Sequence, residues 1–455
     1  MTDAISSRLR PIVKAYDVRG RSPELLDATV ARVLGEAFAG ETGIAGGGSA
    51  VIGHDMRETS PVLAEAFADG VRARGADVVM IGLASTDLLY FMSGDLDVPG
   101  AMITASHNPA EYNGIKLCRA GARPIGFDTG LSAMAVEATT LLDRDAAPDV
   151  VGGVRELGGL DRYATYLHHL VPVPDRRRLH VVVDAGNGMA GHTVPRVFAD
   201  LEVDLDAMYF DLDGSFPNHE ANPLDPTTLV DLQARVRATG ADIGLAFDGD
   251  ADRCFVVDET GSPVSPSAIT ALIAARALRD QPGATILHNV ICSRAVREVI
   301  AENGGVAVRT PVGHSLIKAE MARTGAVFGG EHSGHFYFKD FFLADSGMIA
   351  ALHVMAALAE TDGTVSELMA RFERYPASGE INSTVDDAAA VMAVLAEHYG
   401  DLEQDRLDGL TVTADTWWFN VRASNTEPLL RLNVEADDVP TMERVRDEVL
   451  GIIRA

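Results

Sequence analysis

The chain is short of cysteine, of lysine and of long apolar runs, and each shortage excludes something. Cys118, Cys254 and Cys292 are the only cysteines in 455 residues, and they lie far apart. That excludes a disulfide framework and a cysteine-rich zinc site. No window approaches the roughly 18 uninterrupted apolar residues of a membrane span. The N-terminal segment MTDAISSRLRPIVKAYD lacks the apolar stretch of a signal peptide, so the expectation is a cytoplasmic protein. Positive charge is also scarce: 38 Lys and Arg face 66 Asp and Glu, a net charge of −28. No basic field is present to attract nucleic acid or an anionic membrane. A small phosphate ligand stays open, because it needs only a local cluster of donors. Lysine occurs at positions 14, 116, 318 and 339 alone. Where arginine is the default cation, such a lysine suggests a place that wants a compact ammonium.

What is present is globular: 47% of residues are hydrophobic and 23% charged. A chain this long divides into two to four domains of roughly 100 to 200 residues. One pattern recurs three times. An apolar strand runs into a polar or glycine-rich turn at Val51–Asp55, Val181–Gly186 and Thr285–Asn289. A helix-like stretch follows, then a second strand at ADVVMIGL, VDLDAMYF and VAVRTPVG. Repeated β-α-β units build mixed or parallel sheets flanked by helices. Each copy continues into another short strand that empties into a polar loop: GAMITASHNP, DIGLAFDGDADR and AVFGGEHSGH. Ligands in such folds bind beyond the carboxyl ends of strands. The remainder, with strands TVTADTWWFNVRA and PLLRLNVEA and a final helix VPTMERVRDEVLGIIRA, has a different character. The fold class is therefore three similar α/β domains plus a smaller C-terminal α+β domain. The expected boundaries are 1–150, 151–256, 257–368 and 369–455, with residues 143–160 as a linker.

The strongest chemical signal is Asp248-Gly249-Asp250-Ala251-Asp252-Arg253. Three carboxylates alternate with small residues after an apolar strand, which suits a hard cation such as Mg²⁺. An EF-hand loop requires glycine at the sixth position, where this chain has Arg253. Ser106, in Thr104-Ala105-Ser106-His107-Asn108-Pro109, lacks the Gly-x-Ser-x-Gly context of a hydrolase nucleophile. Strand alternation directs His107 to the opposite face, which disfavours it as a base for Ser106. A turn at Asn113-Gly114 folds Lys116 back toward the serine, and a serine with a nearby cation suits a phosphate. Gly330-Glu331-His332-Ser333-Gly334-His335 mixes donors and acceptors suited to sugar hydroxyls. A zinc site on His332 and His335 lacks a third ligand at the expected spacing. Arg422-Ala423-Ser424-Asn425-Thr426-Glu427-Pro428 has the makings of a phosphate cradle. Lys14-Ala15-Tyr16-Asp17-Val18-Arg19-Gly20 is similar in kind.

Taken in order from residue 14 to about 435, these five motifs resemble the α-D-phosphohexomutase family, in its phosphomannomutase/phosphoglucomutase branch. Tyr16-Asp17 and His332 depart from the pattern of the phosphoglucosamine mutase branch. The resemblance implies four domains around a central cleft. It implies that Ser106 carries the phosphoryl group and that Ser106, Asp248, Asp250 and Asp252 form the metal site. Lys116, Arg19, Arg253 and Asn108 would surround the reacting phosphoryl group. Tyr16, His314, Glu331, Ser333 and His335 would contact the substrate. Arg422, Ser424, Asn425 and Thr426 would hold the phosphate that is not reacting. The implied cofactors are Mg²⁺ and hexose 1,6-bisphosphate, the substrate a hexose phosphate, and the reaction a reversible 1,6-phosphate shift. The alternatives are a phosphoglucosamine mutase and a Mg²⁺-dependent sugar-phosphate phosphatase with Asp250 as nucleophile. Ile291 stands where some members carry a lysine, and the residues do not separate a monomer from a dimer.

Overall fold

A computed structural model describes residues 4–144, 149, 151–423 and 429–455. The chain forms two compact units: residues 1–264 with 333–366, and residues 265–332 with 367–455.

All three β-α-β copies read from the sequence are present. In the first unit, strands Ser49–His54 and Asp77–Leu83 pair in parallel around helix Ser60–Ala73. Strands Leu179–Asp184 and Val203–Met208 do the same around helix Ala190–Phe198. In the second unit, Thr285–Asn289 and Val306–Thr310 pair around helix Arg294–Glu302. The third strand of each copy joins the first in parallel: Gly100–Ile103, Ile243–Phe247 and Phe328–Gly330. All three strands are wholly buried, which explains why they read as continuous apolar runs rather than alternating ones. The strand that follows returns antiparallel, Tyr112–Arg119 in the first copy and Cys254–Val257 in the second. The loop between each such pair is therefore gripped at both ends by strand pairing.

Two expectations are corrected. The segment 143–160 is not wholly a linker: Val154–Glu156 adds a parallel edge strand beside Asp77–Leu83. Asn113-Gly114 is not a turn but lies inside the strand Tyr112–Arg119; the turn falls earlier, across Ser106–Glu111. Gly114 is needed for close approach. A Cβ there would stand 2.5 Å from the Val18 carbonyl oxygen and 2.6 Å from that of Thr104.

The second unit also holds an antiparallel sheet in the order Ala377–Thr384, Leu429–Ala436, Trp417–Ala423, Leu410–Thr413, Glu403–Asp405. TVTADTWWFNVRA is thus two strands, and the helix expected at the end runs Val439–Ile453. That helix and Ala388–His398 cover a core of Leu395, Phe419, Val421, Leu432 and Val445. Among the described residues, no helix is long and apolar enough to cross a membrane.

Candidate active site

In the first unit, two strand ends meet. The strand Gly100–Ile103 delivers Ser106, and Ile243–Phe247 delivers the acidic loop. The Ser106 hydroxyl donates to Asp248 Oδ2 at 2.8 Å. The approach is close because Gly249 has no side chain: a Cβ there would lie 2.4 Å from the Ser106 carbonyl oxygen. Ser106 has φ 51°, in the left-handed region. That conformation costs a serine roughly 1 kcal/mol or more and needs support from its surroundings.

Asp248, Asp250 and Asp252 are fully buried, and one oxygen of each lies within 4.8 Å of the others. Lys116 Nζ bridges two of them, donating to Asp250 Oδ2 at 2.6 Å and Asp252 Oδ2 at 2.5 Å. Burial works against its charge, but Asp250 and Asp252 outweigh that and raise its pKa. Thr86, in the first turn of helix Thr86–Leu96, donates its hydroxyl to Asp250 Oδ2 at 2.5 Å and its N–H to the Asp250 carbonyl at 3.0 Å. Against its own burial, Asp250 is held below the usual carboxylate range, chiefly by Lys116. Burial, reinforced by Asp252 and Asp250, pushes Asp248 up to about 8. One buried oxygen on each of Asp250 and Asp252 accepts no hydrogen bond. Three clustered carboxylates with spare oxygen donors fit a hard divalent cation. Lys116 alone leaves the triad short of positive charge.

Arg253 lies beside the triad, its Nε 3.6 Å from Asp248 Oδ2 and donating to His335 Nε2 at 3.0 Å. The other ring nitrogen of His335, Nδ1, is 2.9 Å from Asp345 Oδ2. Burial and Arg253 press this histidine toward neutrality, but Asp252 and Asp345 outweigh them and raise its pKa. Arg19 donates to Asn108 Oδ1 at 2.6 Å and to Asp17 Oδ2 at 2.5 Å. Tyr16 and Ser333 are half-buried. The first unit thus joins Ser106, Asp248, Asp250, Asp252, Lys116, Arg253 and His335 in one network, with Arg19 and Asn108 paired beside it.

His107 corrects an expectation. Its Nδ1 lies 3.1 Å from Ser106 Oγ. The strand ends at Ile103 and Ser106 is left-handed, so alternation no longer decides where His107 points. Burial first, then Arg253 and Arg19, lowers its pKa well below the ordinary value. Thr86 and Asp345 were not foreseen; neither sits in a motif, and only the fold brings them in.

In the second unit, Glu331 follows the strand Phe328–Gly330 and is 2% exposed. Its Oε1 accepts from the Gly313 N–H at 3.2 Å and Asn289 Nδ2 at 3.4 Å. His332 Nδ1 pairs with Ser267 Oγ at 3.0 Å, and no metal-ligating cluster among the described residues contains it. Ile291 is buried. Arg422, on the strand Trp417–Ala423, donates to Glu380 Oε2 at 2.6 Å, and its buried Nε has no hydrogen-bond partner among the described residues. His314 opens the helix His314–Thr324, but its side chain lies outside the described residues, as do Ser424, Asn425 and Thr426.

Comparison with known proteins matches nearly the whole chain. Four phosphoglucomutase/phosphomannomutase family descriptions match in order: alpha/beta/alpha domain I at residues 10–134, domain II at 161–261, domain III at 265–375, and the C-terminal domain at 380–452. The chain is 41% identical over 452 residues to a Xanthomonas campestris protein named phosphohexose mutases, covering 98% of this chain and 99% of that one. It is 36% identical to a phosphomannomutase/phosphoglucomutase of Pseudomonas putida over 442 residues, covering 96% and 94%. A solved phosphoglucomutase/phosphomannomutase family protein from Burkholderia thailandensis superposes with TM-score 0.88 at 33% identity, covering 99% and 98%. The chain belongs to the phosphoglucomutase/phosphomannomutase family.

Proposed function

We propose that this chain is a phosphomannomutase/phosphoglucomutase that interconverts hexose 1-phosphate and hexose 6-phosphate through a phosphoserine at Ser106 and a hexose 1,6-bisphosphate. It is an intramolecular phosphotransferase. The observation that carries the reading is the Ser106 hydroxyl 2.8 Å from a buried carboxylate triad that Lys116 bridges. Asp248, Asp250 and Asp252, with the group on Ser106, would hold Mg²⁺, which when bound polarises a phosphoryl oxygen and neutralises the carboxylates. The remaining work falls to the chain.

In the first transfer the Ser106 Oγ–P bond breaks and a bond forms from phosphorus to the free sugar hydroxyl oxygen. The hydroxyl gives up a proton, and Ser106 Oγ gains one. Lys116, Arg19 and Arg253 stabilise charge on the moving oxygens, and Asn108 orients Arg19. Tyr16, His314, Glu331, Ser333 and His335 grip the sugar. Arg422, Ser424, Asn425 and Thr426 hold the phosphate at rest. The bisphosphate reverses its orientation, and Ser106 takes back the other phosphoryl group. Four domains with boundaries near 150, 256 and 368 supply one loop each.

The test is product analysis with mannose 1-phosphate, glucose 1-phosphate and glucosamine 1-phosphate in turn. The expected result is Mg²⁺-dependent formation of mannose or glucose 6-phosphate with no steady release of inorganic phosphate. Continuous phosphate release would assign a phosphatase instead, and turnover of glucosamine 1-phosphate alone the glucosamine branch.

A further inference from the structure

Arg57 follows the first strand of the first β-α-β copy and belongs to none of the motifs above. It is among the largest fully buried side chains in the molecule. A guanidinium so placed must satisfy five N–H donors and a charge. Its four Nη donors are satisfied on the Ser106 loop and the start of the strand after it, while Nε makes an ion pair rather than a hydrogen bond. Nη2 donates to the carbonyls of Ser106 at 2.9 Å and Asn108 at 2.6 Å. Nη1 donates to those of Pro109 at 2.8 Å and Tyr112 at 2.9 Å. Four carbonyls of one tight turn thus converge on one planar fork. Without a cation there, the oxygens would repel one another and the turn would open.

Arg57 is itself aimed. Asp55 Oδ2 lies 3.3 Å from its Nε, and Asp55 Oδ1 accepts from the Arg57 N–H at 3.0 Å and Ser60 Oγ at 2.5 Å. Asn113, next to Gly114, donates to Ser60 Oγ at 2.9 Å, so the far end of the loop is tied to the same support. The Phe216 ring covers the guanidinium, its centroid 5.0 Å from Cζ.

We infer that Arg57 is a positioning residue for phosphoryl transfer: by gathering four loop carbonyls it holds Ser106 left-handed with its hydroxyl on the acidic triad. It bonds to the Ser106 carbonyl and not to the serine hydroxyl, whose partners are Asp248 and His107. The inference rests on the reading of Ser106 as the phosphoryl carrier. It also explains the choice of arginine, since an ammonium with three donors cannot satisfy four carbonyls.

The test is Arg57→Lys in the full chain, which keeps a charge for Asp55 and loses the fork. Each protein is phosphorylated with glucose 1,6-bisphosphate, the phosphorylated fraction is read by intact mass, and kcat and KM are measured with glucose 1-phosphate. The expected result is kcat per phosphorylated serine about 100-fold lower with KM within about threefold, since a displaced nucleophile slows the chemistry rather than binding. A purely structural role would lower the amount of folded protein and leave kcat per phosphorylated serine unchanged, and that result overturns the inference. If Arg57→Lys does not fold, Asp55→Asn decides: it keeps the shape of the support and removes the charge that aligns Nε, and an unchanged kcat overturns the inference. Ser106→Ala separates the two readings. If it turns over normally, the reading of Ser106 fails. If it is inactive while Arg57→Lys is normal, only the role of Arg57 fails.

Discussion

The two regions assigned to phosphate handling are built in opposite ways. Around Ser106 the side chains are tied into one network: Lys116 to two carboxylates, Thr86 to Asp250, Arg57 to four carbonyls, and a left-handed serine held against its own preference. Among the described residues, Arg422 pairs with the carboxylate of Glu380, which also faces Arg431 Nη1 at 3.3 Å. The sheet beneath it is interrupted, with a register shift between Ala377 and Glu380. A site that makes and breaks a bond gains from being assembled in advance, because preorganised charge costs nothing to rearrange at the moment of reaction. A site that must hold a phosphate and then release it is better served by an arginine with a substitute anion nearby. If Arg422 holds the ligand's phosphate as proposed, Glu380 is the anion that the phosphate would displace.

This contrast can be broken at several points. The largest effect is expected from Lys116→Met. It removes the one cation bridging Asp250 and Asp252, and kcat should fall roughly 10³-fold with little change in KM. A variant within tenfold of wild type would mean that the network around Ser106 is not preassembled for chemistry. Gly249→Ala comes next. Its Cβ would meet the Ser106 carbonyl oxygen at 2.4 Å, a backbone atom that cannot swing aside, so the serine and the triad must part. A loss of about 100-fold in kcat is expected in steady-state assays; normal kcat would show that the close contact is not required.

At the other region the split should invert. Arg422→Ala should raise KM roughly 10- to 100-fold, the size of a lost charge-assisted hydrogen bond, and affect kcat less. Glu380→Gln should lower KM by about threefold, because a weaker competitor is left on the arginine. A raised KM in Glu380→Gln would make Glu380 a support for Arg422 rather than a substitute anion.

The smallest effect concerns a pair away from both regions. His219 Nε2 lies 3.0 Å from the buried Asp184. Burial opposes its charged form, but the bond to Asp184 outweighs it and raises the pKa. A raised folded pKa contributes stability that is fully present below the unfolded value and is lost as pH rises through the folded one. Thermal denaturation of His219→Gln against wild type should therefore show a deficit of about 1 kcal/mol or less at pH 5.5, vanishing by pH 9. A deficit independent of pH would mean that shape, not charge, holds the pair.

The legible parts of the site were those written locally. A strand end followed by Asp-x-Asp-x-Asp declares itself, and so does the thrice-repeated β-α-β, because both are short-range patterns. Lys116 meets the triad rather than Ser106 itself, and no hairpin turn brings it there: Asn113-Gly114 looks like one, whereas Gly114 serves close packing inside a strand. Alternation does not place His107, because the strand has ended and the backbone is left-handed at Ser106. Arg57, Thr86 and Asp345 reach the site through contacts spanning many residues, and nothing in their immediate neighbours advertises this. Scarcity was an uneven guide. Lys116 bridges the triad, but Lys339 is simply exposed.

The central claim, that Ser106 carries the phosphoryl group, is tested most directly by intact mass with site mapping after incubation with glucose 1,6-bisphosphate. The account predicts one added phosphate on Ser106 that disappears when hexose 1-phosphate is supplied in excess and is absent from Ser106→Ala. A phosphate mapped to Asp250, or full mutase turnover with Ser106 never modified, would contradict it.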